Sequence, residues 1–278
     1  MTYPIAIYDT GVGGLSVLEE LLRQVGNADV LYFEDSKIFP MGPKNFIDIQ
    51  ERLKKVCRYL FNKQGVNLIL LACNTATVTS IRELQLRWLP TEYPNQGKNI
   101  IGISTPITEQ MVAKYWDLRD QPGIILSTMA TFRTGFYQSE FLRNGFRNFT
   151  AVPSSNLAAA IQNMNTIEIK EAIEEAFVPF EALVKKASLV VLACSHYHWS
   201  EKLIRAKFNQ ETVILNPREV VANKLIDYIK RHPEYKISYD SSLQILTTGS
   251  SSKMKIKLKY FLNRDSKIQL VDNTDMAI

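Results

Sequence analysis

Cysteine is scarce in this sequence. Cys57, Cys73 and Cys194 are odd in number and far apart, which excludes a disulfide framework and points to a reduced, cytoplasmic protein. Apolar runs are short. They are strand-sized, well under the ~20 residues of a membrane-spanning helix, so no membrane partner is expected. The opening "MTYPIAIYDTG" lacks a basic segment followed by an apolar one, so no secretory signal is expected. Charge of one sign is not concentrated either. The net charge is +5, but 33 basic residues are interspersed with 28 acidic ones. The densest basic cluster, "SSKMKIKLKYFLNR", reads as an amphipathic helix. Met254, Leu258 and Phe261 share one face and the lysines are solvated, which argues against a nucleic-acid partner. What the chain does have is 46% apolar residues over 278 positions, enough for one large α/β domain or two modest ones.

Short apolar segments alternate with helical patterns. "IAIY" (5–8), "VLYFE" (30–34), "NLILLA" (67–72), "NIIGIS" (99–104), "GIILS" (123–127), "LVVLA" (189–193), "TVIL" (212–215) and "LQILTT" (243–248) read as strands. They are continuous runs rather than alternations, which suits parallel strands covered on both faces. Between them, "SVLEELLRQV", "FIDIQERLKKVCRYLFNKQ" and "IEIKEAIEEAFVPFEALVKKA" carry apolar residues at three- and four-residue steps, as helices do. The alternation predicts an α/β fold of open, mostly parallel sheets flanked by helices. Cys57 falls inside a helix and reads as a buried apolar thiol without a chemical role.

A long-period repeat is visible. "NLILLAC" (67–73) and "SLVVLAC" (188–194) match nearly position for position, and each follows an upstream strand that ends in a polar loop. Asp9 lies 64 residues before Cys73, and Thr128 lies 66 before Cys194. Two similar halves, each with a cysteine at a strand tip, predict pseudo-symmetric lobes.

Ligands of open α/β sheets bind beyond the carboxyl ends of the strands, where Asp9, Cys73, Thr128 and Cys194 all fall. A thiol at the start of a helix is expected to have a lowered pKa. Cys194, His196 and His198 are closely spaced, but no second ligand pair accompanies them, so no metal is expected. A Cys–His hydrolase would leave the second strand-tip cysteine unexplained. "DTGVGGLS" (9–16) approaches a dinucleotide fingerprint at Gly11, Gly13 and Ser16, with Glu34 and Asp35 ending the next strand. A nicotinamide-dependent oxidoreductase is therefore a rival reading. Against it, Asp9 would face a pyrophosphate with negative charge. Two thiols across a cleft suit a different reaction. One thiolate removes the α-proton of an amino acid while the other thiol protonates the opposite face, and no cofactor is needed.

These stretches carry a resemblance to a known family. "IAIYDTGVGGLSVLEEL", "YFEDSKIFPMGPK", "ACNTAT", "STMATFRTGFY", "LACSHYHW" and "TTGSSSKM" together resemble the cofactor-independent glutamate racemases of the aspartate/glutamate racemase superfamily. The resemblance implies two α/β lobes, residues 1–101 plus 214–278 and residues 102–213, with the active site in the cleft between them. It implies that Cys73 and Cys194 are the acid/base pair, assisted by Asp9 and His196. Cys73 would take the proton from the D-substrate and Cys194 from the L-substrate. Substrate contacts would be Asp9, Thr10, Met41, Gly42, Asn74, Thr75, Thr128, Thr131, Ser195 and His196. It further implies a cytoplasmic homodimer acting on a small amino acid and supplying D-glutamate for peptidoglycan synthesis.

The sequence departs from the family pattern. Thr10 replaces a serine, Met41 the tyrosine of "PYG", Ser195 a threonine and His198 a proline, while Asn156 in "VPSSNL" stands where the family has a glutamate. The Met41 and Asn156 changes fall where substrate choice or proton-transfer tuning can alter. They keep open aspartate or another acidic substrate, or a protein that binds an amino acid without turnover.

Overall fold

The structure is a computed structural model that describes residues 5–26, 28–235, 237 and 243–276. Among the described residues, ten strands form two sheets. The first holds β1 (Ile5–Asp9), β2 (Val30–Glu34), β3 (Leu68–Leu71), β4 (Asn99–Gly102), β9 (Gln244–Thr247) and β10 (Lys267–Leu270). The second holds β5 (Gly123–Thr128), β6 (Phe149–Ser154), β7 (Leu189–Ala193) and β8 (Val213–Leu215). Every strand pair is parallel. The continuous apolar runs follow from this. Ile5 and Ile7 face one core while Ala6 and Tyr8 face another, so neither side of β1 meets water.

The predicted repeat is a repeat of topology. The first sheet contains the order β2-β1-β3-β4 and the second is β6-β5-β7-β8, so each lobe places its first strand beside its third. The register refines the correspondence by one residue. Ile5 pairs with Leu68 and Gly123 with Leu189. Extended along the strands, these registers set Thr10, rather than Asp9, level with Cys73, as Thr128 is level with Cys194. One apolar cluster runs through both lobes. It contains Ile7 and Leu70 of the first sheet and Leu126 and Leu192 of the second, together with Leu15, Leu157, Val221 and Leu225.

Two edge strands escape the apolar-run criterion because polar residues interrupt them at exposed positions, whereas the edges β4 and β8 keep apolar runs. β6 is half-exposed and contains Pro153, which an edge tolerates, and most of β10 faces solvent. The helical pattern at 167–187 is broken at Pro179. It becomes Thr166–Phe177, a 3-10 turn at Val178–Phe180 and Glu181–Val184, because proline lacks the N–H that the next helical bond needs. The basic segment does form a helix, Ser251–Leu262, with Met254 and Leu258 buried. Lys257 is not solvated: its ammonium pairs with the buried Glu34 at 2.8 Å.

Candidate active site

The carboxyl ends of β1, β3, β5 and β7 converge on a cavity of 380 Å³. Cys73 and Cys194 both line it, from opposite sheets. So do Thr10, Met41, Gly42, Asn74, Thr75, Thr128 and His196. Asp9, Thr131 and Ser195 stand directly behind this wall. Ser195 Oγ donates to Asp9 Oδ2 at 2.9 Å, and Thr75 and Thr131 hydroxyls lie 3.1 Å apart.

The glycine loop serves close approach between lobes rather than a dinucleotide. A Cβ on Gly11 would collide with the Gln162 amide, and one on Gly13 would sit 2.6 Å from His196 Nδ1. The second lobe fills the space a pyrophosphate would need. Val12 is gripped at both ends: its N–H donates to Gln162 Oε1 at 2.9 Å, and its carbonyl accepts from Trp199 Nε1 at 3.0 Å. The acids ending β2 are also engaged. Glu34 accepts from Lys257 and Thr247, and Asp35 holds Arg52 through two bonds of 2.8 and 2.6 Å.

The thiols are not acidified by position alone. Cys73 precedes the helix Asn74–Glu83, yet burial and then the Asp9 charge push its thiol up to about 12. The backbone N–H of Ala76 and the Thr10 hydroxyl oppose that rise. Cys194 precedes a 3-10 segment, Ser195–Ser200, whose field is weak. Burial, and next the neighbouring Cys73, raise it well above the ordinary thiol value, against the backbone N–H of His196. The expected lowering is therefore reversed, because desolvation of a buried thiolate outweighs the helix end. Burial also raises Asp9 to about 6, against the N–H of Gly11 and the Ser195 hydroxyl. His196 is held down to about 3 by burial and then by the Lys257 charge, so its ring is neutral. Cys57, in the helix Phe46–Lys63, is buried away from the cavity with a raised thiol.

Facing the thiols is a patch of donors. Thr75 and Thr128 hydroxyls meet at 2.9 Å across the two lobes, and Thr131 lies 3.1 Å from each. Asn74 Oδ1 accepts from the Tyr137 hydroxyl, which fixes the amide and leaves Nδ2 buried without a partner. An orphaned buried donor is costly, and a carboxylate in the cavity would satisfy it. Arg133 is the one permanently charged side chain in the lining among the described residues. It donates to the carbonyls of Gly42 and Lys44 at 2.9 and 3.2 Å. Met41 is buried, whereas Asn156 is exposed at the edge and donates to Glu175 at 3.4 Å.

His198 turns away from Cys194 and His196. Its ring nitrogens face Asn216 at 2.6 Å and Arg218 at 3.2 Å, so the three residues do not converge. Among the described residues, no cluster of three or more His, Cys, Asp or Glu could hold a metal ion, and no helix is long and apolar enough to cross a membrane. Sequence reasoning missed Phe39, Tyr137, Arg133 and Gln162. The first three lie within motifs already singled out, but nothing in their spacing shows where they point. Gln162 carries no sequence signal at all.

No family model matches the chain. Individual proteins do. The chain is 31% identical over 263 residues to a glutamate racemase of Phenylobacterium zucineum, covering 88% of this chain and 92% of that protein. Its fold matches the glutamate racemase RacE1 of Bacillus anthracis with a TM-score of 0.82 at 20% identity, over 96% of this chain and 97% of the other. It also matches the Francisella tularensis glutamate racemase, solved in complex with D-glutamate, with a TM-score of 0.81 at 18% identity and 98% coverage of each chain. With two lobes of one topology, a thiol from each in one cavity, and this relative matched over nearly its whole length, the chain belongs to the glutamate racemase family of amino-acid racemases.

Proposed function

We propose that this protein interconverts L- and D-glutamate by a two-cysteine proton transfer that needs no cofactor. The observation that carries the reading is the pair of thiols, Cys73 and Cys194, delivered to one cavity by opposite sheets. One thiolate takes the α-proton to leave a planar carbanion between the two sulfurs, and the opposite thiol gives a proton to the other face, which inverts the carbon. The donor patch of Asn74 Nδ2, Thr75 and Thr128 suits the α-carboxylate, whose charge it stabilises as the carbanion develops. Asp9 suits the substrate ammonium, with Thr10 beside Cys73 and Ser195 beside Asp9. Met41 and Gly42 form the wall nearest the loop that Arg133 holds.

Burial favours the protonated form of both thiols, so the reaction needs one to ionise beside the substrate. The ammonium group is the positive charge that favours this, because an opposite charge at close range lowers a thiol pKa. His196 is neutral and serves Cys194 through its backbone N–H. The complex of the Francisella relative with D-glutamate supports the substrate class. The same reading divides the chain into lobes of residues 1–101 plus 214–278 and residues 102–213. It makes the protein a cytoplasmic homodimer that supplies D-glutamate for peptidoglycan, on the strength of the family. The test is incubation with L-glutamate, then D-glutamate, in D₂O without added cofactor. Loss of optical rotation with solvent deuterium at the product α-carbon is expected. Inversion without deuterium, or no exchange from either enantiomer, would overturn the mechanism.

A further inference from the structure

Gln162 ends the helix Leu157–Gln162 of the second lobe and is buried. Its side chain makes three contacts outside its own helix. Oε1 accepts from Val12 N–H at 2.9 Å and lies 3.2 Å from His196 Nε2, and Nε2 reaches Glu34 Oε1 at 3.5 Å. The orientation of the amide is fixed by its surroundings. Val12 N–H must meet an oxygen, and the Glu34 carboxylate must meet an N–H. An amide oxygen accepts and never donates, so the His196 nitrogen facing it must carry the hydrogen.

We propose that Gln162 is a positioning residue that holds His196 as its Nε2–H tautomer and thereby sets the Cys194 side of the site. The proposal rests on the two-cysteine reading. The other ring nitrogen, Nδ1, lies against Gly13, where a Cβ would come within 2.6 Å. Phe39 stacks on the ring at 5.5 Å between centroids. With the ring held at Nε2 by Gln162 and covered on one face by Phe39, the His196 backbone N–H is held toward the Cys194 sulfur. Four charged or titratable groups lie near the ring. Glu34 and Lys257 lie behind Gln162, Asp9 lies beyond Ser195, and Cys194 stands two residues earlier in the chain. Gln162 also joins lobes, because Val12 follows β1 and Glu34 ends β2 of the first sheet while His196 follows β7 of the second.

The chain has three histidines, so imidazole nitrogen spectra of protein labelled with ¹⁵N-histidine are assignable with His198→Asn and His232→Asn variants. At neutral pH, His196 of the wild type is expected to show the Nε2–H pattern. Gln162→Leu removes the acceptor. His196 should then show Nδ1–H signal, and α-proton exchange from L-glutamate should fall roughly tenfold, the worth of one neutral hydrogen bond, with a smaller fall from D-glutamate. Gln162→Glu keeps an acceptor. It should restore Nε2–H and make His196 protonate at a higher pH than in wild type, because a carboxylate favours the imidazolium. If Gln162→Leu does not fold, the wild-type and Gln162→Glu spectra still decide. An Nδ1–H pattern in the wild type, or an unchanged pattern and unchanged exchange asymmetry in Gln162→Leu, overturns the proposal. These spectra do not require turnover, so they fail or succeed separately from the racemase reading.

Discussion

Asp9 shows how the site stores unfavourable charge. It is fully buried, and burial lifts its carboxyl to about 6 while two donors partly offset the cost. The native state therefore binds this proton more tightly than the unfolded chain does. By linkage, the stability this proton contributes is fully present below the ordinary carboxylate pKa of about 4 and is lost as pH rises through about 6. Asp9→Asn is accordingly expected to melt at a higher temperature than wild type at pH 7, with the gap closing by pH 4 in differential scanning fluorimetry. A gap that widens toward acid would contradict this. His196, held down to about 3, works in the opposite direction and is common to both proteins, so it cancels in the comparison. At this scale the sequence was partly legible. Cys73, Cys194 and Asp9 are marked by strand-end position, which a run of apolar residues reveals. The protonation of the thiols was not, because desolvation depends on how the second lobe covers them. Gln162 was illegible for the same reason: its three partners come from three distant segments.

Helix Met129–Thr134 of the second lobe and the loop around Gly42 of the first meet at the mouth of the cavity, and Arg133 is their link. The guanidinium also lies over the Phe46 ring at 5.8 Å. The contact holds the loop that carries Met41 and Gly42 against the cavity. Arg133→Ala removes two bonds to backbone carbonyls at an exposed position, together worth about 1 kcal/mol, so KM for both enantiomers should rise about fivefold. Steady-state polarimetry checks it, with kcat expected to move less than KM, and an unchanged KM would show the link to be idle. Among the elements, strands covered on both faces were legible because their apolar runs have no polar interruption. The edges β6 and β10 were not, since an edge strand exposes one flank and tolerates polar residues and proline. Lys257 misled in the other direction. Helical periodicity placed it with the solvated lysines, but the buried Glu34 draws it inward.

At the scale of the molecule, one topology is used twice and the two thiols follow from that duplication. The heptapeptide repeat revealed it because the third strand of each lobe is buried along its whole length and is therefore restricted in composition. β9 and β10, which extend the first sheet beyond β2, have no counterpart in the second and break the symmetry. On the proposed mechanism, symmetry of position implies a division of labour, with each thiol addressing one face of the substrate α-carbon. The decisive measurement is α-proton exchange with D₂O by Cys73→Ser and Cys194→Ser, started separately from D- and L-glutamate. Serine is nearly isosteric but seldom ionised at neutral pH. Cys73→Ser is expected to lose exchange from D-glutamate by at least ~10²-fold while keeping exchange from L-glutamate, and Cys194→Ser to show the reverse. Racemisation by either serine variant at a rate near wild type would show that cysteine to be structural and would contradict the account.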